Sequence, residues 1–144
     1  MSRVVIVGAS LAGLRCAQAL RTKGFDGTIS MHGDERVLPY DRPPLSKQVL
    51  AGEWEPEKIA LADDATYEKL DLDLHLGERV SSIDDVGAYD HLVVATGARP
   101  REIAGGVTLR TLDDSLTLRG RLHDARHVVV VGAGFIGAEV AATA

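Results

Sequence analysis

Two short glycine-rich segments have the residue types and spacing best suited to bind phosphate. Residues 8–13 have the pattern G-x-S-x-x-G, and residues 132–137 have the complete pattern G-x-G-x-x-G. Glycines at this spacing permit a tight turn and let the backbone approach an anion, which the amides of a following helix N-terminus then bind. The sequence therefore predicts two dinucleotide-binding turns, the first of which has Ser10 at the middle glycine position.

Each such turn requires a buried strand before it and a helix after it. Residues 4–7 form an apolar run without polar alternation, which is typical of a strand buried on both faces of a parallel sheet, and residues 128–131 have the same character. Apolar residues at helical spacing predict a first helix that Gly24 ends. Similar patterns predict further strands at residues 28–32, 72–76, 77–84, 90–97 and 107–111, and further helices at residues 45–50, 65–70 and 112–122.

Two acidic residues follow the second predicted strand. Asp34 and Glu35 lie about 20 residues beyond the glycine turn, where a carboxylate is expected to bind the ribose hydroxyls of a nucleotide. The spacing alone does not separate Asp34 from Glu35. His32, which ends the strand, is interpreted as an ordinary strand-end histidine and not as a ligand.

Two cations lie in a proline-rich stretch. Arg42 and Lys47 flank Pro43 and Pro44, whose rings restrict the backbone. A guanidinium offers a planar fork to phosphate, and an ammonium offers a single mobile charge. Taken alone, the stretch could equally be a surface loop with ordinary charges.

Composition excludes several classes of function. The net charge of −5 without a basic stripe argues against nucleic acid as a partner. With Cys16 as its one cysteine, the chain can form neither an internal disulfide nor a cysteine-rich metal site. No apolar run approaches the ~20 residues of a membrane span, so a cytoplasmic location without membrane contact is expected.

The segments, in this order and spacing, resemble the flavoprotein ferredoxin reductases of oxygenase and cytochrome P450 electron-transfer chains, the putidaredoxin reductase and biphenyl dioxygenase ferredoxin reductase group. The glycine turn alone would be a weak signal. The proline-rich stretch, the Ala-Thr-Gly turn and the second glycine turn make the resemblance specific. It rests on residues 5–13, 33–35, 39–47, 95–97, 109–111 and 132–139.

The resemblance implies an FAD site at the first turn and an NAD(P)H site, with NADH favoured, at the second. It implies FAD contacts for Gly8, Ser10, Leu11, Ala12, Gly13, Asp34, Glu35, Arg42, Lys47, Val80, Ala95, Thr96, Gly97 and Arg110. It implies nicotinamide nucleotide contacts for Gly132, Gly134, Phe135, Ile136, Gly137 and Glu139. Lys47 and Glu139 are the implied catalytic residues, as an ion pair that orients the nicotinamide beside the flavin.

The chain departs from this family pattern after the third strand and in its second unit. Between Asp84 and Tyr89 the family has a longer β-meander, so a shortened meander is expected here. The predicted fold is α/β, with a Rossmann-like FAD-binding domain around a central parallel sheet and the start of a second, NAD-binding Rossmann unit. The predicted domains are residues 1–125 and residues 126–144, both incomplete. Exposure of the last apolar helix would favour association, including a homo-oligomer.

The predicted function is transfer of electrons from NAD(P)H through FAD to an iron–sulfur ferredoxin or a rubredoxin. Disulfide reductases of the same superfamily are disfavoured because Cys16 is the sole thiol. The alternative is a nucleotide-binding fragment without turnover. A dehydrogenase with a single glycine turn fits the paired turns poorly.

Overall fold

The computed structural model describes residues 2–144, which divide into two compact units. The first contains the residues up to Tyr40 together with Ala60–Gly97, and the second contains Asp41–Ile59 together with Ala98–Ala144. The elements of the first unit are β1 (Arg3–Val7), α1 (Leu11–Thr22), β2 (Thr28–Gly33), α2 (Asp64–Leu70), β3 (Leu72–Leu76) and β4 (His91–Val94). The helices of the second are α3 (Leu112–Asp124) and α4 (Phe135–Thr143).

The first unit is built on a four-stranded parallel sheet in the order β3-β2-β1-β4. β1 pairs with β2 in the register Val4↔Ile29 and with β4 in the register Val4↔His91. Its interior place explains its composition, since Val5 and Ile6 are fully buried. The parallel sheet and the α/β class predicted from the sequence are confirmed.

The core of this unit lies between the sheet and α1. Val4, Ile6, Ile29 and Met31 form one buried cluster with Ala17 of the helix. Cys16 packs against this cluster at intermediate exposure. Alanine at position 17 lets the helix approach the strands closely, and this packing fixes where the helix begins relative to the carboxyl end of β1.

Arg21, near the end of α1, holds two loops through its guanidinium. It donates hydrogen bonds to the carbonyls of Phe25 and Gly27, at 2.8 Å each. It also donates to the carbonyls of Leu70 at 2.8 Å and Asp71 at 3.0 Å, at the end of α2. One side chain therefore satisfies acceptors from two segments that are distant in sequence.

We expect Arg21→Met to lower the free energy of unfolding by about 2–3 kcal/mol, because four carbonyls lose a charged donor and part of that loss is recovered by water. Urea unfolding followed by circular dichroism measures the change. Arg15→Met is the matched control, since Arg15 is exposed on the same helix and its guanidinium donates to the side chain of Gln18, one turn away. Equal losses for the two variants would contradict this role of Arg21.

Two predicted strands of the connecting segments are wrong. Residues 77–84 form a loop that leads into a 3-10 helix at Ile83–Val86. The Ser82 hydroxyl accepts a hydrogen bond from the amide of Asp84, and the Ser82 amide donates one to the Asp85 carboxylate. These local bonds compete with strand pairing. Residues 107–111 likewise form no strand, and Thr111 instead begins α3 in a capping box with Asp114. Among the described residues, no further strand separates β3 from β4, so the expected shortening of the meander is confirmed.

Two predictions in the second unit are also wrong. Residues 128–131 form no strand, and Val129 and Val131 are 86% and 75% exposed. An apolar run becomes a strand only when a neighbouring strand accepts its backbone hydrogen bonds, and none of the described residues of this unit supplies one. The predicted helix at residues 45–50 is a 3-10 helix at Pro43–Ser46 followed by turns, because the two prolines occupy its start.

The remaining predicted helices are confirmed as α1, α2 and α3, within a few residues at each end. The strand predicted at residues 90–97 is shorter, as β4, because its partner β1 ends at Val7, the register partner of Val94. Within residues 2–144, no helix combines the length and apolar character needed to cross a bilayer.

Candidate functional site

At two positions of the turn after β1, only glycine fits. Gly8 has a φ of +123°, and a Cβ placed on it would lie 2.2 Å from the carbonyl oxygen of Ala95. A Cβ on Gly13 would lie 2.1 Å from the carbonyl oxygen of Gly8. A side chain at either position would therefore displace backbone, which explains the first and third glycines of the pattern.

The middle position of the pattern has no such requirement. Ser10 is the N-cap of α1 with a φ of −141°, which any residue can adopt. Serine therefore replaces glycine here without backbone strain.

The N-terminus of α1 is suited to an anion. Within residues 2–144, no side-chain hydrogen bond caps this helix, and its first turn contains no acidic residue. Leu11 and Ala12, in that first turn, are exposed. The positive end of the helix and its first amides are thus available to a negatively charged group, and the glycines keep the approach clear. This cradle fits the pyrophosphate of a dinucleotide.

The strand ends around the turn are held close to it. The amide of Gly8 donates to the carbonyl of His32 at 2.8 Å, and the amide of Ala95 donates to that of Val7 at 2.7 Å. A Cβ on Gly33 would lie 2.6 Å from the Cβ of Ala9. Gly8, Gly33 and Ala95, which come from three separate segments, are thus brought together at one edge of the sheet, as expected for a nucleotide site.

The two candidate ribose ligands follow β2 directly. The carboxylate of Glu35 accepts a hydrogen bond from the Tyr40 hydroxyl at 2.5 Å, and the Glu35 carbonyl accepts one from the amide of Gly77 at 3.0 Å. Asp34 is exposed beside it. The choice between Asp34 and Glu35 as the ribose ligand stays open.

The other predicted FAD contacts of the first unit lie in loops. Val80 is half-buried in the segment after β3, and Thr96 is exposed after β4. Gly97 has a φ of +69°, which glycine adopts without strain. The structure thus gives them positions but no contact that identifies a ligand.

In the second unit, Lys47 and Glu139 form the ion pair that the resemblance implies. Lys47 Nζ lies 2.9 Å from Glu139 Oε1. The Ser46 hydroxyl donates to the other carboxylate oxygen at 2.5 Å. This hydrogen bond first, and then Lys47, hold the pKa of the Glu139 carboxyl below its usual range. Glu139 is therefore ionised, and oriented by two partners, at neutral pH.

Sequence patterns missed the residues that support this pair. The Ser115 hydroxyl, fully buried on α3, donates to the carbonyl of Leu45 at 2.6 Å. The Thr143 hydroxyl donates to the carbonyl of Ser46 at 3.0 Å. In the sequence, Ser115 stands out only as a serine on the apolar side of a predicted helix. Its role could not be predicted because its partner lies 70 residues away in sequence.

The structure brings together two further residues of the second unit that were predicted to bind FAD. Arg42 donates to the carbonyl of Arg110 at 2.7 Å. The Arg42 guanidinium thus contacts the backbone of Arg110, another predicted FAD contact. The role of Arg42 toward FAD stays a prediction.

The second glycine turn has the same local geometry as the first. Gly132 has a φ of +110°, Gly134 is the N-cap of α4, and a Cβ on Gly137 would lie 3.0 Å from the carbonyl oxygen of Gly132. Phe135 and Ile136, in the first turn of α4, are 91% and 55% exposed. This turn therefore repeats the cradle without the surrounding strands.

The chain also resembles known proteins over almost all of its length. The model of the pyridine nucleotide-disulphide oxidoreductase family matches residues 2–144. The ferredoxin–NAD(+) reductase component of the biphenyl dioxygenase system of Paraburkholderia xenovorans is 45% identical over 159 aligned residues, which cover 98% of this chain and 39% of that protein. Putidaredoxin reductase of Pseudomonas putida is 41% identical over 98% of this chain and 38% of its own length.

A solved structure agrees with these relatives. A chain in the crystal structure of the covalent putidaredoxin reductase–putidaredoxin complex has a TM-score of 0.89 and 39% identity, over 99% of this chain and 39% of its own. The chain thus spans about 40% of the length of the relatives that it matches. From the two glycine turns, the parallel sheet and these similarities, we conclude that the chain belongs to the pyridine nucleotide-disulphide oxidoreductase family.

Proposed function

We propose that the protein carrying this chain is an FAD-dependent NAD(P)H:ferredoxin or rubredoxin reductase that serves an oxygenase or a cytochrome P450. The observation that carries the proposal is the glycine cradle after β1, where a Cβ on Gly8 would occupy the backbone of Ala95. The relatives named as ferredoxin reductases, and the complex with putidaredoxin, support this reaction class. When bound, FAD would accept two electrons from the nicotinamide and release them singly to an iron–sulfur or rubredoxin partner.

The residues of this chain would bind and orient the two nucleotides. The amides of Leu11, Ala12 and Gly13 would bind the FAD pyrophosphate, and Asp34 or Glu35 would bind its ribose. Gly132, Gly134 and Gly137 would serve the nicotinamide nucleotide in the same manner. Lys47 and Glu139, already paired, would orient the nicotinamide and adjust the charge beside the flavin rather than exchange protons as acid and base.

The remaining parts of the proposal concern the whole protein. NADH is favoured over NADPH as the donor. A cytoplasmic location, a homo-oligomer and a division near residue 125 stay predictions.

A second candidate is a nucleotide-binding chain without turnover. It is favoured by one observation, namely that among the described residues no strand flanks the second glycine turn, and Val129 and Val131 before it are exposed. Both candidates bind nucleotides, but only the reductase then passes electrons onward.

Reconstitution with FAD tests the proposal. The protein is incubated with FAD, freed of excess cofactor by gel filtration and examined for flavin absorption, and NADH or NADPH is then added without oxygen. We expect bound flavin that NADH bleaches faster than NADPH, followed by reduction of an added ferredoxin. Bound flavin that neither nucleotide bleaches would favour the non-catalytic candidate, and absence of bound flavin would contradict the FAD assignment.

A further inference from the structure

Two histidines lie side by side on the polar face of the parallel sheet. His32 of β2 and His75 of β3 are register partners, and their rings stack with centroids 4.4 Å apart and planes 6° apart. Glu78 follows β3, and its Oε2 lies 3.4 Å from Nδ1 of His75. One ligand atom from each of the three side chains lies within 4.8 Å of the others.

We propose that His32, His75 and Glu78 form a binding site for one divalent transition-metal ion, with zinc as the ion that two imidazoles and a carboxylate favour. Tetrahedral zinc, with bonds of about 2.0–2.1 Å, separates its ligand atoms by roughly 3.4 Å. The separation between His75 and Glu78 already has this value. Binding requires the His32 ring to turn out of the stack so that one nitrogen points at the ion.

The buried histidine of the site has a ring nitrogen that can serve as a metal ligand. His32 is 6% exposed, and within residues 2–144 its Nε2 has no hydrogen-bond partner. A buried polar nitrogen without a partner is uncommon in folded proteins and indicates an absent ligand or water. On the solvent side, the side chains of His75 and Glu78 are 32% and 66% exposed, which gives an ion a route to the site.

An outer carboxylate lies behind the histidine that faces Glu78. Asp73 Oδ2 lies 3.1 Å from His75 Nε2, at ion-pair distance but without the alignment of a hydrogen bond. The other ring nitrogen of His75, Nδ1, faces Glu78. Asp73 also accepts a hydrogen bond from Ser30 at 3.0 Å, and Ser30 accepts one from Arg3 at 3.2 Å. A carboxylate behind a ligating histidine is a recurrent support of zinc sites, since it fixes the ring orientation.

Zinc titration of untagged, chelator-treated protein tests the site. Calorimetry should show one zinc ion per chain and a melting temperature that rises with zinc concentration. Cobalt, titrated in place of zinc, should produce visible absorption bands of a nitrogen- and oxygen-bound ion. His75→Gln should abolish the one-to-one binding, and Glu78→Gln should weaken it by at least about tenfold, because loss of a direct ligand costs no less than loss of an outer supporting residue.

His91→Gln is the matched control, because His91 is an exposed histidine of the same sheet, on the opposite edge strand β4, and is not part of the cluster. It should bind zinc as the parent does. Circular dichroism in chelator checks that each variant is folded, and the more exposed Glu78→Gln decides the question if His75→Gln is not. Absence of one-to-one binding in the parent, or equal affinity in Glu78→Gln and the parent, would overturn the proposal.

Discussion

Gly8→Ala is expected to destabilise the chain by about 3 kcal/mol or more and to abolish retention of FAD. The added methyl group would lie 2.2 Å from the carbonyl oxygen of Ala95 and 2.9 Å from the amide nitrogen of Thr96. Both are backbone atoms of the segment that follows β4, so relief of the clash requires the strand end to move. The φ of +123° adds strain at the substituted residue itself. Urea unfolding and flavin absorption after gel filtration measure the two effects.

The variant Gly24→Ala separates the cost of the positive φ from the cost of the clash with the backbone. Gly24 also has a positive φ, of +84°, but a Cβ there meets no atom within 4 Å among the described residues. Its expected cost is the conformational one alone, about 1–2 kcal/mol, and FAD retention should be unchanged. If Gly24→Ala proved as destabilising as Gly8→Ala, the close approach between the glycine turn and Ala95 would not be what matters.

Lys47→Ala in the complete protein should slow flavin reduction by NADH about tenfold or more, a barrier increase of ~1.4 kcal/mol, and leave FAD bound. The substitution removes the cation that lies 2.9 Å from Glu139 and so frees the carboxylate that orients the nicotinamide in our proposal. Stopped-flow absorption of the flavin under anaerobic conditions measures the rate. An unchanged rate would remove Lys47 from the reaction.

Two companion variants make this experiment specific. Glu139→Gln should slow reduction similarly, and the double variant should be little slower than either single variant, because the two residues act as a pair. Lys58→Ala is the control, since Lys58 is a lysine of the same unit whose ammonium lies over the Trp54 ring, 4.4 Å from its centroid. Because the pKa of Glu139 is lowered, the contribution of the pair should hold through neutral pH and be lost only as the pH falls through that lowered value.

Local patterns predicted the parts of the fold that depend on nearby residues. β1, α1 and β2 follow from an apolar run, a glycine turn and helical spacing, because strand, turn and helix are adjacent in sequence. Residues 128–131 carry an equally strong strand pattern and form no strand. Their composition is that of β1, but their backbone has no neighbouring strand to bond with.

The candidate site could likewise be predicted from the sequence only in part. The glycine positions of the first turn follow from a motif, and the structure adds why Ser10 is tolerated, namely its ordinary φ. The Lys47–Glu139 pair was implied by the resemblance. Ser115 and the histidine stack could not be predicted, because each depends on residues that only the folded chain brings together.

The place of β1 in the sheet also affects how the chain folds during its synthesis. β2 follows β1 within about 25 residues, whereas the partner on the other side of β1 begins at His91, after a long intervening segment. At ~5–20 residues per second, a ribosome takes roughly 3–12 s to make the residues between β2 and β4. During that interval one bonding edge of a very apolar strand is open. Chaperone capture of nascent chains should therefore peak before β4 emerges and fall once it pairs.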